Sequence, residues 1–439
     1  MSTEPLTQPG DTVQAKCPVS HAAVGFNPFD DEYLQDPYRV FSQIRQEEPV
    51  FYNARTGYWV VSKYEDIVAI FRDPETYSAK PAVQPHKVPC PAAVEKLLEV
   101  DWVPNGMLVD EDPPIHTKRR RVLRRGLTKE QIDALEPYAR QYATECLDRL
   151  VKNGSADIVR ELTYEVPALI AFRLMGVPEA DVHRVKQFAA RLALFLWGEP
   201  TDEEQVQLAE AFAKYYEYAR EHVERLIESP GDDYMSNAIK DWQRDGTDEK
   251  WNKAYLASVM QGQFYAAHET TTDATAAGFK ALLEHRDQWE MICQQPSLIP
   301  QAVEEILRYS SSVPAWRRTT TRQVNIGGVE IGAGETLLIL TGSANHDQDK
   351  FVDGEDFDIT RANAGEHLAF GFGIHACLGQ NLARMEMRVM LEEATKRLPH
   401  LRLVEGQEWS YSRNFSFRGP ARVLVVWDPA QNPLPGDRP

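Results

Sequence analysis

Residues 370–379 read Phe-Gly-Phe-Gly-Ile-His-Ala-Cys-Leu-Gly, and a strongly helical run, Gln380-Asn381-Leu382-Ala383-Arg384-Met385-Glu386, follows at once. Three glycines, a phenylalanine and a histidine surround a single sulfur, that of Cys377. Glycines at that density let the backbone turn tightly and approach a partner closely. The following helix aims its first-turn amides back at the sulfur, and amide donors at a helix N-terminus favour thiolate over thiol. A thiolate in such a loop suits ligation of a haem iron, where it pushes electron density towards bound dioxygen and favours O–O cleavage. A buried structural cysteine is the plainer reading of any single Gly-x-Cys. The joint placement of Phe370, Gly373, His375 and Gly379 favours the ligand.

Three more groupings could serve a haem. Glu305-Ile306-Leu307-Arg308 puts a carboxylate and a guanidinium at i and i+3, on one helix face. His116 and Arg120, in Pro113-Pro114-Ile115-His116-Thr117-Lys118-Arg119-Arg120, share a face at i and i+4, and Arg318 stands in Arg317-Arg318-Thr319-Thr320-Thr321. An arginine fork bonds carboxylates bidentately, the need of a group carrying two propionates. In Ala266-Ala267-His268-Glu269-Thr270-Thr271 a hydroxyl lies beside a carboxylate, a pair able to anchor water and pass protons. Taken singly, these are a surface ion pair, an ordinary helix N-terminal histidine and a Thr-rich amphipathic helix. It is their co-occurrence that carries weight.

The elements that must position them are mostly helical. After a polar, Pro-containing stretch at 1–27, expected to be flexible, Asp36-Pro37 opens a helix to about Glu47. The runs Val50–Tyr52 and Tyr58–Val61 read as a hairpin, and Ser62-Lys63-Tyr64-Glu65 as a capping box starting a helix through Phe71. From Asp73 to Pro114 the chain is Pro-rich and aperiodic, a long loop of the functional kind. Helical patterns run from about His116 to Arg308, the longest over Trp251–His285, and helix is expected from Cys377 to about Leu398. Short strands are expected between, at Val324–Ile331 and Thr336–Leu340. Neither a repeat nor a composition shift interrupts 28–428, so one large, mainly α domain with a small β-rich region is expected, and 429–439 reads as a Pro-rich tail or linker.

The 439 residues are 43% hydrophobic, ample for a core, and no apolar run approaches the roughly 20 residues that span a bilayer. With no apolar core for a secretory signal near the N-terminus, a cytoplasmic location and no membrane contact are expected. Five scattered cysteines (Cys17, Cys90, Cys146, Cys293 and Cys377) without Cys-x-x-Cys suggest neither zinc nor a disulfide framework. The formal net charge of −18 argues against nucleic acid as a partner. Against that background the run Lys118–Arg125, six basic residues in eight, stands out. It is either a solvated helix face or a docking patch for an acidic redox partner.

The loop at 370–379 resembles the haem-binding loop of the cytochromes P450, Phe-x-x-Gly-x-x-x-Cys-x-Gly, and the other groupings resemble that family's motifs in its order, from about Phe26 to Trp427. The resemblance implies the family's helical prism around haem b (iron protoporphyrin IX). Cys377 would be the axial thiolate, with Phe370, Gly371, Gly373 and Gly379 shaping its loop, and His116, Arg120, Arg318 and His375 would meet the propionates. Glu305 and Arg308 would brace the proximal core. Glu269 and Thr270 would handle protons, with Ala267 lining the oxygen groove where most relatives carry Gly. The extra methyl puts the usual local helix geometry there in question. Cys17–Ser20, Gly57–Val61, Ala267, Ala315–Arg318 and Ser343–Asp347 are similar to haem domains of self-sufficient bacterial members fused to an FMN/[2Fe–2S] reductase. FMN and the cluster would sit in that fused or separate reductase, docking on 118–125. The chain is then either a separated haem domain or a free-standing relative.

The activity so implied is insertion of one oxygen atom of O2 into a small or medium hydrophobic substrate, aromatic ones included, by hydroxylation, O-dealkylation or epoxidation, with electrons from NAD(P)H. A peroxide-driven peroxygenase and a non-catalytic haem sensor or electron carrier are the alternatives. Substrate contacts are expected from the loop 78–110, Phe195, Leu196, Trp197, Ala266 and Val313. Phe195, Leu196 and Trp197 fit a plain core at helical spacing equally well.

Overall fold

The computed structural model describes residues 25–102, 106–189, 191–245 and 252–431. The expected flexible segment 1–27 and tail 429–439 lie mostly outside them, as does Trp251.

Five helices frame the site: α1 (Ile115–Arg124), α2 (Asp202–Glu228), α3 (Lys253–Glu284), α4 (Ile299–Tyr309) and α5 (Gln380–Arg397). α2 starts at a capping box, Thr201 Oγ1 accepting from Glu204 N while the Glu204 carboxylate accepts from Thr201 N. α3 starts at Asn252, whose side chain accepts from Tyr255 N. Its 32 residues run about 48 Å, and it buries residues on every side, among them Leu256, Met260, Phe264, Ala274 and Phe279. A helix apolar all round belongs inside a fold, and α3 is indeed the axis on which α2, α4 and α5 pack.

The largest of three sheets among the described residues, five-stranded, flanks the helices. In chain order its strands are β1 (Val50–Asn53), β2 (Tyr58–Val61), β3 (Tyr77–Ser78), β4 (Trp316–Thr320) and β5 (Thr336–Ile339), arranged β1-β2-β5-β4-β3. β1 and β2 form the expected hairpin. β2 runs parallel to β5, with Val60 opposite Leu338, and β5 pairs antiparallel with β4, placing Arg318 opposite Leu337. Among the described residues no helix is long and apolar enough to cross a membrane.

Three local expectations need correction. The capping box at Ser62–Glu65 is absent: Ser62 Oγ donates to Pro49 O, and Tyr64 N is capped by Asp347 Oδ2 at 2.9 Å. A carboxylate distant in sequence has taken the place of the local serine. The stretch 73–114 is not wholly loop, because Pro91–Leu98 is a helix with Pro at its tolerated first position, burying Ala93 and Leu97 and packing on α2. Within the basic run, Arg119 as well as Arg120 turns inward. It pairs with buried Glu111 and lies 3.5 Å from the Tyr255 ring centroid. Lys118, Arg121, Arg124 and Arg125 stay exposed, the last paired with Asp241.

Candidate active site

The cysteine loop is built by backbone geometry. Gly371 and Gly373 have φ of +67° and +70°, a region where side chains are strained. A Cβ on Gly373 would lie 2.6 Å from Phe71 O, so the loop presses backbone to backbone against its neighbour. Phe370 O accepts from Cys377 N at 2.8 Å, closing the turn, and α5 begins three residues beyond the sulfur. Gly373→Ala combines an αL penalty of about 1–2 kcal/mol with that overlap. It is expected to lower thermal stability and haem retention together; a variant matching wild type in both would refute the close approach.

Around Cys377, Arg120 donates to Ala376 O, and Arg384 lies 4.6 Å from the Phe370 ring centroid while forking onto Glu304 at 2.6 and 2.9 Å. Burial pushes the Cys377 thiol pKa up, against the Gly379 amide, Arg120 and Arg384, which pull it down. Of the expected helix-terminus donors the Gly379 amide acts on the sulfur, and it does not outweigh burial; a coordinated metal cation is what ionises such a thiol outright.

Beside the loop, four cationic or imidazole groups converge. The His116 and His375 rings stand with centroids 4.1 Å apart. Both His116 ring nitrogens and His375 Nε2 are buried without a hydrogen bond. Burial, with Arg120 and Arg318 adding repulsion, lowers the His116 pKa to about 4. Burial also drives His375 far down, with Arg318, His116 and Arg120 adding to the effect. Arg318 is 4% exposed, donates to Arg317 O, and has its pKa lowered by burial to about 10. Buried donors without acceptors are costly, and this cluster has the chemistry to receive two carboxylates. The residues present therefore fit a haem with its propionates at His116, Arg120, Arg318 and His375. Asp112, which sequence reasoning missed, supports them. It accepts from Ser78 Oγ and Ala79 N at 2.6 and 2.8 Å and lowers the repulsion at Arg318 and His116. Its signal was an acid just before a Pro-Pro helix start.

Behind the loop, Glu305 and Arg308 are both fully buried and bonded through two contacts of 2.7 and 2.8 Å. On α3, Thr270 Oγ1 donates back to Ala266 O at 2.8 Å, and helix continues unbroken through Ala267. The methyl at 267 therefore coexists with regular helix. Glu269 has its carboxylate 3.6 Å from His268 Nδ1. Burial, and then Asp273, raise its pKa to about 8, with Lys186 opposing. At neutral pH it holds a proton to give.

Phe195, Leu196 and Trp197 are buried in the core that also takes in Val313, with Ala267 and Leu378 packed against it. Trp197 stacks on Phe417 with centroids 4.7 Å apart and donates to Ala82 O, and Leu196 O accepts from His86 N. The loop after β3 is thus fastened to these residues. Ala266 is exposed along the same helix face as Thr270.

The cytochrome P450 family profile matches residues 287–399. A putative cytochrome P450 of Mycobacterium tuberculosis is 34% identical over 89% of this chain and 94% of its own length. The chain belongs to the cytochrome P450 family. An intact type IV self-sufficient cytochrome P450 monooxygenase shares the P450 fold at a TM-score of 0.93 and 43% identity, over 98% of this chain. The chain spans 56% of that enzyme's length. Another P450, CREJ, solved with (4-ethylphenyl) dihydrogen phosphate, matches at a TM-score of 0.88 and 36% identity, over 92% of this chain and all of its own. The fold is that of P450s, a mainly α structure with a small β-rich region, and this P450 is an oxidoreductase of the monooxygenase kind, for which the family implies haem with a cysteine thiolate.

Proposed function

We propose that the protein inserts one oxygen atom of O2 into a small or medium hydrophobic substrate, with Cys377 as the thiolate ligand of haem b. The observation that carries this reading is the pair on α3, where Thr270 Oγ1 donates back to Ala266 O beside the Glu269 carboxyl, whose pKa burial raises to about 8. Bound haem supplies the oxygen-activating iron and, through its thiolate, the electron push that favours O–O cleavage. The chain does the rest. His116, Arg120, Arg318 and His375 hold the propionates and so fix the plane of the group. Glu305 and Arg308 keep the wall behind Cys377 rigid. Glu269 gives protons to Thr270, whose hydroxyl holds the water through which they pass. A peroxygenase needs no such pair, and an electron carrier needs no proton path.

The substrate reading rests on apolar walls: Phe195, Leu196 and Trp197 beside the fastened loop, with Ala266 and Val313 nearby. CREJ, with its substituted phenyl ligand, favours a compact aromatic. Hydroxylation, O-dealkylation and epoxidation all suit such a pocket. Electrons come from NAD(P)H through an FMN/[2Fe–2S] reductase that docks on the exposed Lys118, Arg121, Arg124 and Arg125 of an otherwise acidic protein. Residues 28–428 form the haem-binding unit.

Thr270→Ala tests the reading. Product formed per NAD(P)H is expected to fall about tenfold or more, with peroxide released instead. Unchanged coupling would favour peroxide-driven chemistry. Titrating the ferric enzyme with small aromatics should convert low-spin to high-spin iron, whereas shifts only with fatty acids or steroids would refute the compact pocket.

A further inference from the structure

α3 carries a stripe that extends past the acid–alcohol pair. Tyr265, Glu269 and Asp273 follow one another at i, i+4 and i+8, so they share one helix face. That face lies beneath the segment 417–419. Tyr265 packs on Phe417 with ring centroids 5.2 Å apart. At the other end, a Cβ on Gly419 would fall 2.2 Å from Asp273 Oδ1 and 2.4 Å from its Cγ, so the Asp273 carboxyl fills the space that a side chain at 419 would need. Glu269 sits between the two. Both residues are half-buried, and among the described residues neither carboxyl makes a hydrogen bond.

Near the outer end of the stripe stands the half-buried Arg418. Its guanidinium donates to Leu34 O and Gln35 O at 2.6 and 3.1 Å, stacks 3.9 Å from the Tyr411 ring centroid, and lines a surface cavity with Tyr33, Pro37 and Phe417. Arg418 is also the charge that acts on Asp273, pulling its pKa down against burial. On the opposite flank of Glu269, the other charged or titratable groups are Lys186, His268, Tyr164, Tyr215 and Tyr265. That flank is a poor proton entrance. Lys186 is held by Glu165 at 2.8 Å, burial keeps the His268 ring uncharged at neutral pH, and the three tyrosines are pushed above their usual range.

We propose that Asp273 is a second relay carboxyl, taking protons from the Arg418 face and passing them to Glu269, which delivers them to Thr270. The inference rests on the proton role proposed above for Glu269 and Thr270 and extends it outward by one helical turn. It uses no new reactant. Each turnover consumes O2, two electrons from NAD(P)H through the reductase and two protons, leaving one oxygen in the substrate C–H bond and the other in water. Each proton leaves the Asp273 carboxyl for the Glu269 carboxylate, and Asp273 is reloaded from solvent. Burial lifts Asp273 to about 7 and, with Asp273 adding repulsion, Glu269 to about 8, so the two hand over a proton at little cost near neutrality. Asp273 does not touch the reacting atoms. It acts through Glu269.

The test uses the haem-loaded enzyme with a reductase and compares wild type, Asp273→Asn, Asp273→Ser and Thr270→Ala. Asparagine keeps the shape under Gly419 without an ionisable proton, and serine leaves room for water if asparagine impairs folding. Both Asp273 variants are expected to form about tenfold less product per NAD(P)H, with a larger solvent deuterium isotope effect. In wild type, coupling should be highest below about pH 7 and decline above about pH 8, as the two carboxyls lose their protons. The Asp273 variants should shift or lose that decline. If Thr270→Ala uncouples while both Asp273 variants keep wild-type coupling, isotope effect and pH profile, the relay is wrong and the acid–alcohol reading stands. If Thr270→Ala stays coupled as well, both readings fall, and a flat wild-type pH profile likewise overturns the relay.

Discussion

Replacing Arg308 by alanine is expected to destabilise the protein by about 3–5 kcal/mol and to leave a chain that loses its haem. The guanidinium is fully buried and spends all its donors within the protein. It bonds both Glu305 oxygens, and it reaches Asn345 O and Gly354 O at 2.8 and 2.7 Å and Asp356 O at 2.8 Å. Among the described residues, alanine would strand Glu305 in the interior with Arg361, 3.3 Å away, as its remaining charged partner, and would take a donor from Asn345 O and Gly354 O, while Asp356 O keeps Arg361 Nη2 at 3.1 Å. The damage reaches the cysteine loop through the chain itself. Asn345 holds Leu368 N at 2.6 Å, two residues before Phe370. Arg308→Lys keeps the charge without the planar fork and should recover only part of the loss. Urea unfolding of the haem-loaded proteins measures the effect. An alanine variant within about 1 kcal/mol of wild type, the range of ordinary surface changes, would show that the pair is not the brace proposed.

Cys377→Ser is expected to abolish turnover and the thiolate-type Soret band of the CO-bound reduced protein. Serine preserves the turn, since the backbone bond from residue 377 to Phe370 O is untouched, and the propionate cluster is intact. Haem is therefore still captured, with reduced affinity. What changes is the donor: an alcohol is far harder to ionise than a thiol and supplies little of the electron push that the chemistry needs. A serine variant that kept the thiolate band would sink the assignment of Cys377.

The cysteine loop, the Glu305/Arg308 pair and the hairpin were legible because each is encoded within a short run of consecutive residues, and the long distal helix because its apolar pattern is sustained over 32. Glycine spacing, a carboxylate–guanidinium step of three and a hydroxyl beside an acid are local patterns with local physical meaning. What escaped was settled by partners distant in the chain. Asp347 caps Tyr64 and frees Ser62 for Pro49. Glu111 draws Arg119 out of the basic face. Glu304 pins Arg384 over Phe370. Asp273 lay in plain view one turn from Glu269, but only the approach of Gly419 reveals that its carboxyl lies against the 417–419 segment. The helix at 91–98 was hidden by prolines that, at helix starts, do no harm.

The strand that carries Arg318 hangs on β5, and β5 hangs on β2, so one corner of the haem cradle is stitched from both ends of the chain. Pairings this distant close last and slowly. On the ribosome, the helices up to α4 can form as they emerge, but the sheet waits for residues 336–339, and Cys377 appears later still. Haem capture is therefore an event of the finished chain, and a polypeptide trimmed of residues 50–61 would carry every proposed liganding residue and yet lack the strand on which β5 and β4 hang.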